Sequence, residues 1–201
     1  PNAPDFEHII SDLIFESLKI SGGRAFVLCT SFTLLKALHA RLAPKLKELG
    51  INSLKQGEAQ RHILLKRKIE DEQSVLFGTD SFWEGVDVRG KALCNVILTR
   101  LPFRVPSEPL IEARMEAIEA RGENAFMQYT VPSAIIKFKQ GFGRLVRSGA
   151  DRGTVLILDK RVVEKSYGQK FLSALPTDSP KAIGTTPEVL RQLKNFHDNY
   201  V

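Results

Sequence analysis

The sequence predicts an α/β fold, a parallel β-sheet with helices on both faces. Two observations carry this. Short apolar runs alternate with longer helical patterns along the chain. The runs AFVLC, SVLF, NVILT and TVLIL are apolar throughout, as strands covered on both faces must be, whereas a half-exposed strand would alternate.

The elements follow in order. Residues 5–20 have the spacing of an amphipathic helix, and AFVLC (25–29) is a short buried strand. Residues 33–49 read as a helix that Gly50 closes as a C-terminal cap. Residues 51–54 read as a second strand and 59–70 as a basic helix. SVLF (74–77) and NVILT (95–99) are strands. A proline-rich turn at 102–109 leads into a helix over 110–120, then a helix over 133–148 and the strand TVLIL at 154–158. Residues 176–186 read as a linker. Thr186 and Pro187 then read as the N-cap and first helical residue of a short terminal helix. The expected division is one domain over 1–176, followed by a linker and short C-terminal helix over 177–201.

The composition fits a globular domain. The chain has 201 residues, 43% of them hydrophobic. No apolar run approaches the roughly 18 residues a membrane span requires, and the start carries no secretory signal pattern. The opening PNAPDFEH reads like a cut linker, so the chain is expected to be a fragment of a longer one. Cys29 and Cys94 each sit in a strand-like run and are expected to be buried thiols in a reducing compartment, the cytoplasm. His8, His39, His62 and His197 are scattered and there is no CxxC, so no metal site is expected.

Charge is unevenly placed. The net charge is +6, from 29 Lys and Arg against 23 Asp and Glu. Residues 137–170 hold nine basic and three acidic residues, so the whole excess lies in that segment. A localised basic segment suits a polyanion, either nucleotide phosphates or a nucleic-acid backbone.

That segment contains QGFGRLVR, residues 140–147. On a helix over 133–148, Ile135, Phe138, Phe142, Leu145 and Val146 share one face. Lys137, Gln140, Arg144 and Arg147 share the opposite one. Gly141 and Gly143 lie on the flanks. Each glycine in a helix interior costs about 1 kcal/mol relative to alanine. Close approach of another backbone or a ligand is the usual compensation. The Gln/Arg/Arg stripe is therefore expected to face a ligand.

GVDVRGKA, residues 85–92, has the G-x-x-x-x-G-K form of a phosphate-binding loop. The next position should be Ser or Thr, to hold magnesium, but is Ala92. Asp87 would put a carboxylate where phosphates belong, and the following residues read as a strand instead of a helix. The chain therefore has arginines suited to a transferring phosphate but no cradle for the nucleotide. A second domain is expected to supply the cradle, with the arginines reaching across to stabilise charge on the phosphoryl group.

At this point the residues resemble a known family. QGFGRLVR looks like helicase motif VI, FGTDSFWEGVDVRG (77–90) like motif V, and FVLCTSF (26–32) like motif IV. QGE (56–58), LPFRVPSEPLIEAR (101–114) and DKR (159–161) also fit. Together they resemble the second RecA-like motor domain of superfamily-two DNA helicases of the DinG/XPD group, in the bacterial DinG/YoaA-like form, over about residues 20–176. The resemblance implies a RecA-like sheet of the P-loop NTPase type without its own phosphate loop.

It also implies roles. Arg144 and Arg147 would be arginine fingers on the γ-phosphate of ATP. Gln140, Gly143, Glu84, Gly85 and Asp87 would lie at the nucleotide cleft. Thr30, Ser31, Thr79 and Ser81 would hold phosphates of single-stranded DNA, a contact that positions a strand without reading it. Thr30 and Ser31 also fit the plainer role of capping the helix that follows. ATP and Mg would be held mainly by the first RecA-like motor domain of the same polypeptide. An iron–sulfur cluster, where the group has one, belongs to that domain too. The expected function is the C-terminal motor half of an ATP-dependent, 5′–3′ DNA helicase, inactive by itself. Two alternatives stand beside it: a non-motor single-strand-binding module, and a nuclease-associated relative that need not unwind.

Overall fold

The computed structural model describes residues 5–79, 82, 88, 90–104, 108–143, 145, 152–176 and 179–200. The apolar runs form strands β1 (Ala25–Leu28), β2 (Ser53–Lys55), β3 (Val75–Gly78), β4 (Asn95–Leu98) and β5 (Thr154–Ile157). They make one sheet in the order β2-β3-β1-β4-β5, and every pairing is parallel. Phe26 lies opposite both Leu76 and Val96, and Val96 opposite Val155. Every residue of β1, β3 and β4 is buried, which accounts for their unbroken apolar character.

The helices are α1 (Phe6–Ser21), α2 (Phe32–Glu48), α3 (Arg61–Glu70), α4 (Pro109–Glu119), α5 (Val131–Phe142), α6 (Arg161–Glu164), α7 (Gly168–Ser173) and α8 (Thr186–Tyr200). They form two layers. Ile10, Ile14 and Leu18 of α1 and Leu35, Leu38, Leu42 and Leu46 of α2 meet Ala25, Val27, Val75, Phe77, Ile97 and Leu156 on one sheet face. Leu64 of α3, Val131, Ala134 and Phe138 of α5 and Phe171 of α7 meet Phe26, Leu28, Leu76, Val96 and Leu98 on the other. Gly50 follows α2 with φ 72 and donates its N–H to Lys47 O at 3.0 Å, as its capping role requires.

The structure corrects three expectations. The helix predicted over 133–148 ends at Phe142, with Gly143 as its cap and Leu145 in a turn. It begins two residues early, after a π-helical turn at Phe126–Thr130. Only Gly141 therefore sits inside the helix, so the expected cost of two interior glycines is halved. Lys137, placed by the helical wheel on the polar face opposite the apolar residues, is buried. The terminal helix is not short. It spans 15 residues, and Thr185 takes the capping role predicted for Thr186. The N–H and hydroxyl of Thr185 donate to Glu188 Oε2 at 2.7 and 2.8 Å, and its carbonyl accepts from Val189 N at 3.0 Å.

That terminal helix is docked, not appended. Leu193 and His197 are buried, and α8 lies along α1. A polar chain crosses the contact. Asn95 Nδ2 donates to Ser17 Oγ at 2.9 Å, Thr154 Oγ1 donates to Asn95 Oδ1 at 3.2 Å, and His197 Nε2 pairs with Thr154 Oγ1 at 3.1 Å. Because Thr154 gives its only proton to Asn95, His197 must donate from Nε2. Both cysteines are free and buried, and burial pushes the Cys29 thiol up to about 12. Among the described residues no helix is long and apolar enough to cross a membrane.

Burial, with the nearby Arg24 guanidinium, lowers the His197 imidazole to about 4. The unfolded chain therefore takes up a proton that the folded chain refuses between pH 6.5 and about 4, so stability falls as pH drops through that window. Thermal melts from pH 7 to 5 should show a falling midpoint in the parent and a shallower fall in His197→Gln. Parallel slopes would mean that this imidazole is not held neutral.

Candidate nucleic-acid and nucleotide interface

In a parallel sheet the chain leaves every strand at the same edge, which is where ligands collect. Here β2, β3 and β1 are neighbours, so Gln56, Thr79 and Thr30 emerge side by side. Thr30 is half-buried and Ser31 exposed. Ser31 is the N-cap of α2, its Oγ accepting from Leu34 N at 3.2 Å. The plainer capping role is thus real for Ser31. It leaves the hydroxyl proton available to a phosphate oxygen, beside a helix terminus with no acidic residue in its first turn.

Thr79 is differently placed from the open hydroxyl expected of a DNA contact. It is buried, and both its donors go to one acceptor. Gln56 Oε1 receives the Thr79 N–H at 2.6 Å and its hydroxyl at 3.0 Å. Gln56 is itself fixed by its N–H to Phe77 O at 2.9 Å. Beyond Thr79, Phe82 turns back into the core through its N–H to Thr79 O at 2.8 Å. The ring covers Gly78 so closely that a Cβ there would lie 2.8 Å from the Phe82 Cβ. Arg61, at the start of α3, stands 5.7 Å from the centroid of the same ring.

The opposite edge holds the other half of the predicted site. Gln140 lies in the last turn of α5 and is half-buried, and its Oε1 is buried with no hydrogen-bond partner among the described residues. A Cβ on Gly143 would meet the carbonyls of Lys139 at 3.3 Å and Gln140 at 3.7 Å, and no other element of the described fold within 4 Å. Leu145 is buried against Gly153 and the Cys94 carbonyl, at the starts of β5 and β4. Leu145 is therefore seated at the edge where strands begin. Arg144, Arg147, Glu84, Gly85, Asp87 and Ser81 lie outside the described residues.

The G-x-x-x-x-G-K stretch is not followed by a helix. Gly90–Ala92 is a single 3-10 turn that runs into β4, as expected of a false phosphate loop. Ala92 there accepts a hydrogen bond from Lys68 Nζ at 2.6 Å. Sequence reading missed Lys68, although its place four residues after Leu64 puts it on the apolar side of α3. Burial lowers its pKa to about 8.

The DKR stretch gains a structural reason. Asp159, buried after β5, accepts from Leu101 N at 2.9 Å and from Arg161 NH2 at 2.6 Å. Burial alone would raise its carboxyl, but these hydrogen bonds outweigh it and hold the group below its usual range. Arg161 also stands 5.3 Å from the centroid of Phe103, whose ring contacts Phe126, Tyr167 and Phe171. Asp159 thus fixes the LPF segment after β4.

The sequence pattern of the helicase C-terminal domain matches residues 14–178. The chain belongs to this family. The ATP-dependent DNA helicase YoaA of Haemophilus influenzae is 44% identical over 170 residues, 85% of this chain and 26% of that protein. The 3′-5′ exonuclease DinG of Bacillus subtilis is 42% identical over 158 residues, 78% of this chain and 17% of that protein. This helicase C-terminal domain thus spans a minor part of the curated relatives it matches. A solved XPD helicase superimposes with TM-score 0.63 over 87% of this chain and 31% of its own, at 18% identity, which shows a shared RecA-like fold. The α8 helix lies beyond the family match.

Replacing the cap in Ser31→Ala should cost about 1 kcal/mol in urea unfolding. An unchanged transition midpoint would mean that Ser31 does not cap α2.

Proposed function

We propose that this domain is the second motor half of an ATP-dependent DNA helicase, completing a nucleotide site whose phosphate cradle lies on a first RecA-like motor domain of the same polypeptide. Family membership and likeness to a relative named as an ATP-dependent DNA helicase support the general reading. The observation that carries the finer one is Gln140. A buried carbonyl oxygen without a partner is costly in a finished domain. It makes sense where a second body closes over it. Gln140 stands directly before the glycine and arginines of QGFGRLVR. In this reading Arg144 and Arg147 stabilise the γ-phosphate, and Gln140, Gly143, Glu84, Gly85 and Asp87 line the domain's share of the cleft. ATP and Mg are held mainly by the partner lobe, as is any iron–sulfur cluster.

Thr30, Ser31 and Ser81 would meet the phosphates of a DNA single strand at the edge where strands end. Thr79, with both donors committed to Gln56, acts there by holding the loop instead of touching phosphate. Translocation runs 5′ to 3′, as the group resemblance implies, and the protein works in the cytoplasm. A second reading has one observation behind it, the likeness to a relative named as an exonuclease. Degradation and unwinding assays on the full-length protein separate the two.

In the full-length protein, Arg144→Ala should lower the DNA-stimulated ATPase rate by about 10³-fold or more with the melting temperature unchanged. A variant hydrolysing ATP at the parent rate would remove the arginine-finger assignment.

A further inference from the structure

The terminal helix α8 reaches its place through an exposed connection. Residues 180–188 are exposed throughout, so the contacts of the helix itself hold it. Those contacts are thin. α1 buries seven residues and α2 five, whereas α8 buries Leu193 and His197 alone. Val189 adds a half-buried contact with the cluster of α1 and α2.

The surface under its last turns is polar. Ser17 and Ser21 of α1 and Asn95 at the start of β4 are fully buried, and Thr154 at the start of β5 is half-buried. Asn95 bonds to Ser17, and Thr154 bridges Asn95 and His197. Lifting α8 hands hydroxyls and an amide to water, which satisfies them at a smaller cost than baring an apolar floor. A helix of 15 residues is marginal in water by itself, so an undocked α8 also loses the protection of its amides.

His197 supplies a trigger. Its Nε2 donates to Thr154, and its Nδ1 is buried with no hydrogen-bond partner among the described residues. A second proton has only Nδ1 to go to, where it makes a buried charge and an N–H without an acceptor. Two charged groups face the ring. Arg24, held before β1 by its Nε bond to Ser21 O at 2.9 Å, opposes protonation, and Asp198 of α8 favours it. α1, β4 and β5 present Ser17, Ser21, Asn95 and Thr154 there, none of which titrates.

We propose that α8 is a releasable strap, which leaves its seat on α1 and the starts of β4 and β5 while the sheet stays folded, and that a proton taken up by His197 drives the release. The strap does not depend on the function proposed above. Burial lowers the docked imidazole to about 4, whereas the released one returns to its ordinary 6.5. Docking is therefore at full strength above pH 6.5 and weakens as pH falls toward about 4. Linkage raises the opening constant of α8 about eightfold between pH 7 and 5.5.

The test is amide hydrogen exchange in the full-length protein at pH 7 and 5.5, each rate divided by the intrinsic rate at that pH. Amides of residues 190–199 should exchange faster than those of 36–46 in α2 at both pH values. Their corrected rate should rise about eightfold at pH 5.5, with α2 and β1 unchanged. His197→Gln keeps a donor for Thr154 but takes up no proton, and should lose that rise. Thr154→Val should quicken exchange in α8 at least fivefold at pH 7 and leave α2 and β1 as they are. Amides of α8 as slow as those of α2 in the parent would overturn the strap, whatever the variants do. A corrected rate in α8 independent of pH, or an equal rise in His197→Gln, would overturn the trigger. Parent-like exchange in Thr154→Val would overturn the polar seat.

Discussion

A parallel sheet buried on both faces sends the exits of its strands to one edge and their entries to the other, and this molecule is organised around that constraint. Burial of every residue in β1, β3 and β4 leaves those strands no role but support. Chemistry is left to the connections. The exits of β2, β3 and β1 gather Gln56, Thr79, Thr30 and Ser31, whereas the entries of β4 and β5 anchor Leu145.

Buried and half-buried polar groups mark the places where the fold is held in register. Asn95 and Thr154 tie α1 and α8 to the sheet, Asp159 ties the segment after β4, and Gln56 and Lys68 tie the segment before it. Each is paired, as burial demands. Among the described residues, Ser11 Oγ, Gln140 Oε1 and His197 Nδ1 are buried without a hydrogen-bond partner, and of these Gln140 lies next to the glycine–arginine stretch in sequence.

Much of this was legible in the sequence, for identifiable reasons. The strands were readable because parallel strands are apolar at every position, and Gly50 because a left-handed cap favours glycine. Motif order identified the family because it records spacing over most of the chain. What failed to show was long-range pairing. Nothing near Thr79 announces that Gln56 will take its hydroxyl. Lys137 fell on the polar face of a helical wheel because the wheel knows only its own helix. The end of α5 was placed six residues late because the apolar periodicity runs on through Leu145 and Val146, although Leu145 reaches the core from a turn. His197 could not be linked to Thr154, 43 residues earlier, without the fold.

The central claim is that this domain completes a nucleotide site that another lobe holds. Calorimetric titration of the 201-residue chain with a non-hydrolysable ATP analogue and magnesium, beside the same titration of the full-length protein, tests it directly. The account predicts saturable binding to the full-length protein and none to the isolated chain at millimolar analogue. Saturable submillimolar binding by the isolated chain would contradict it.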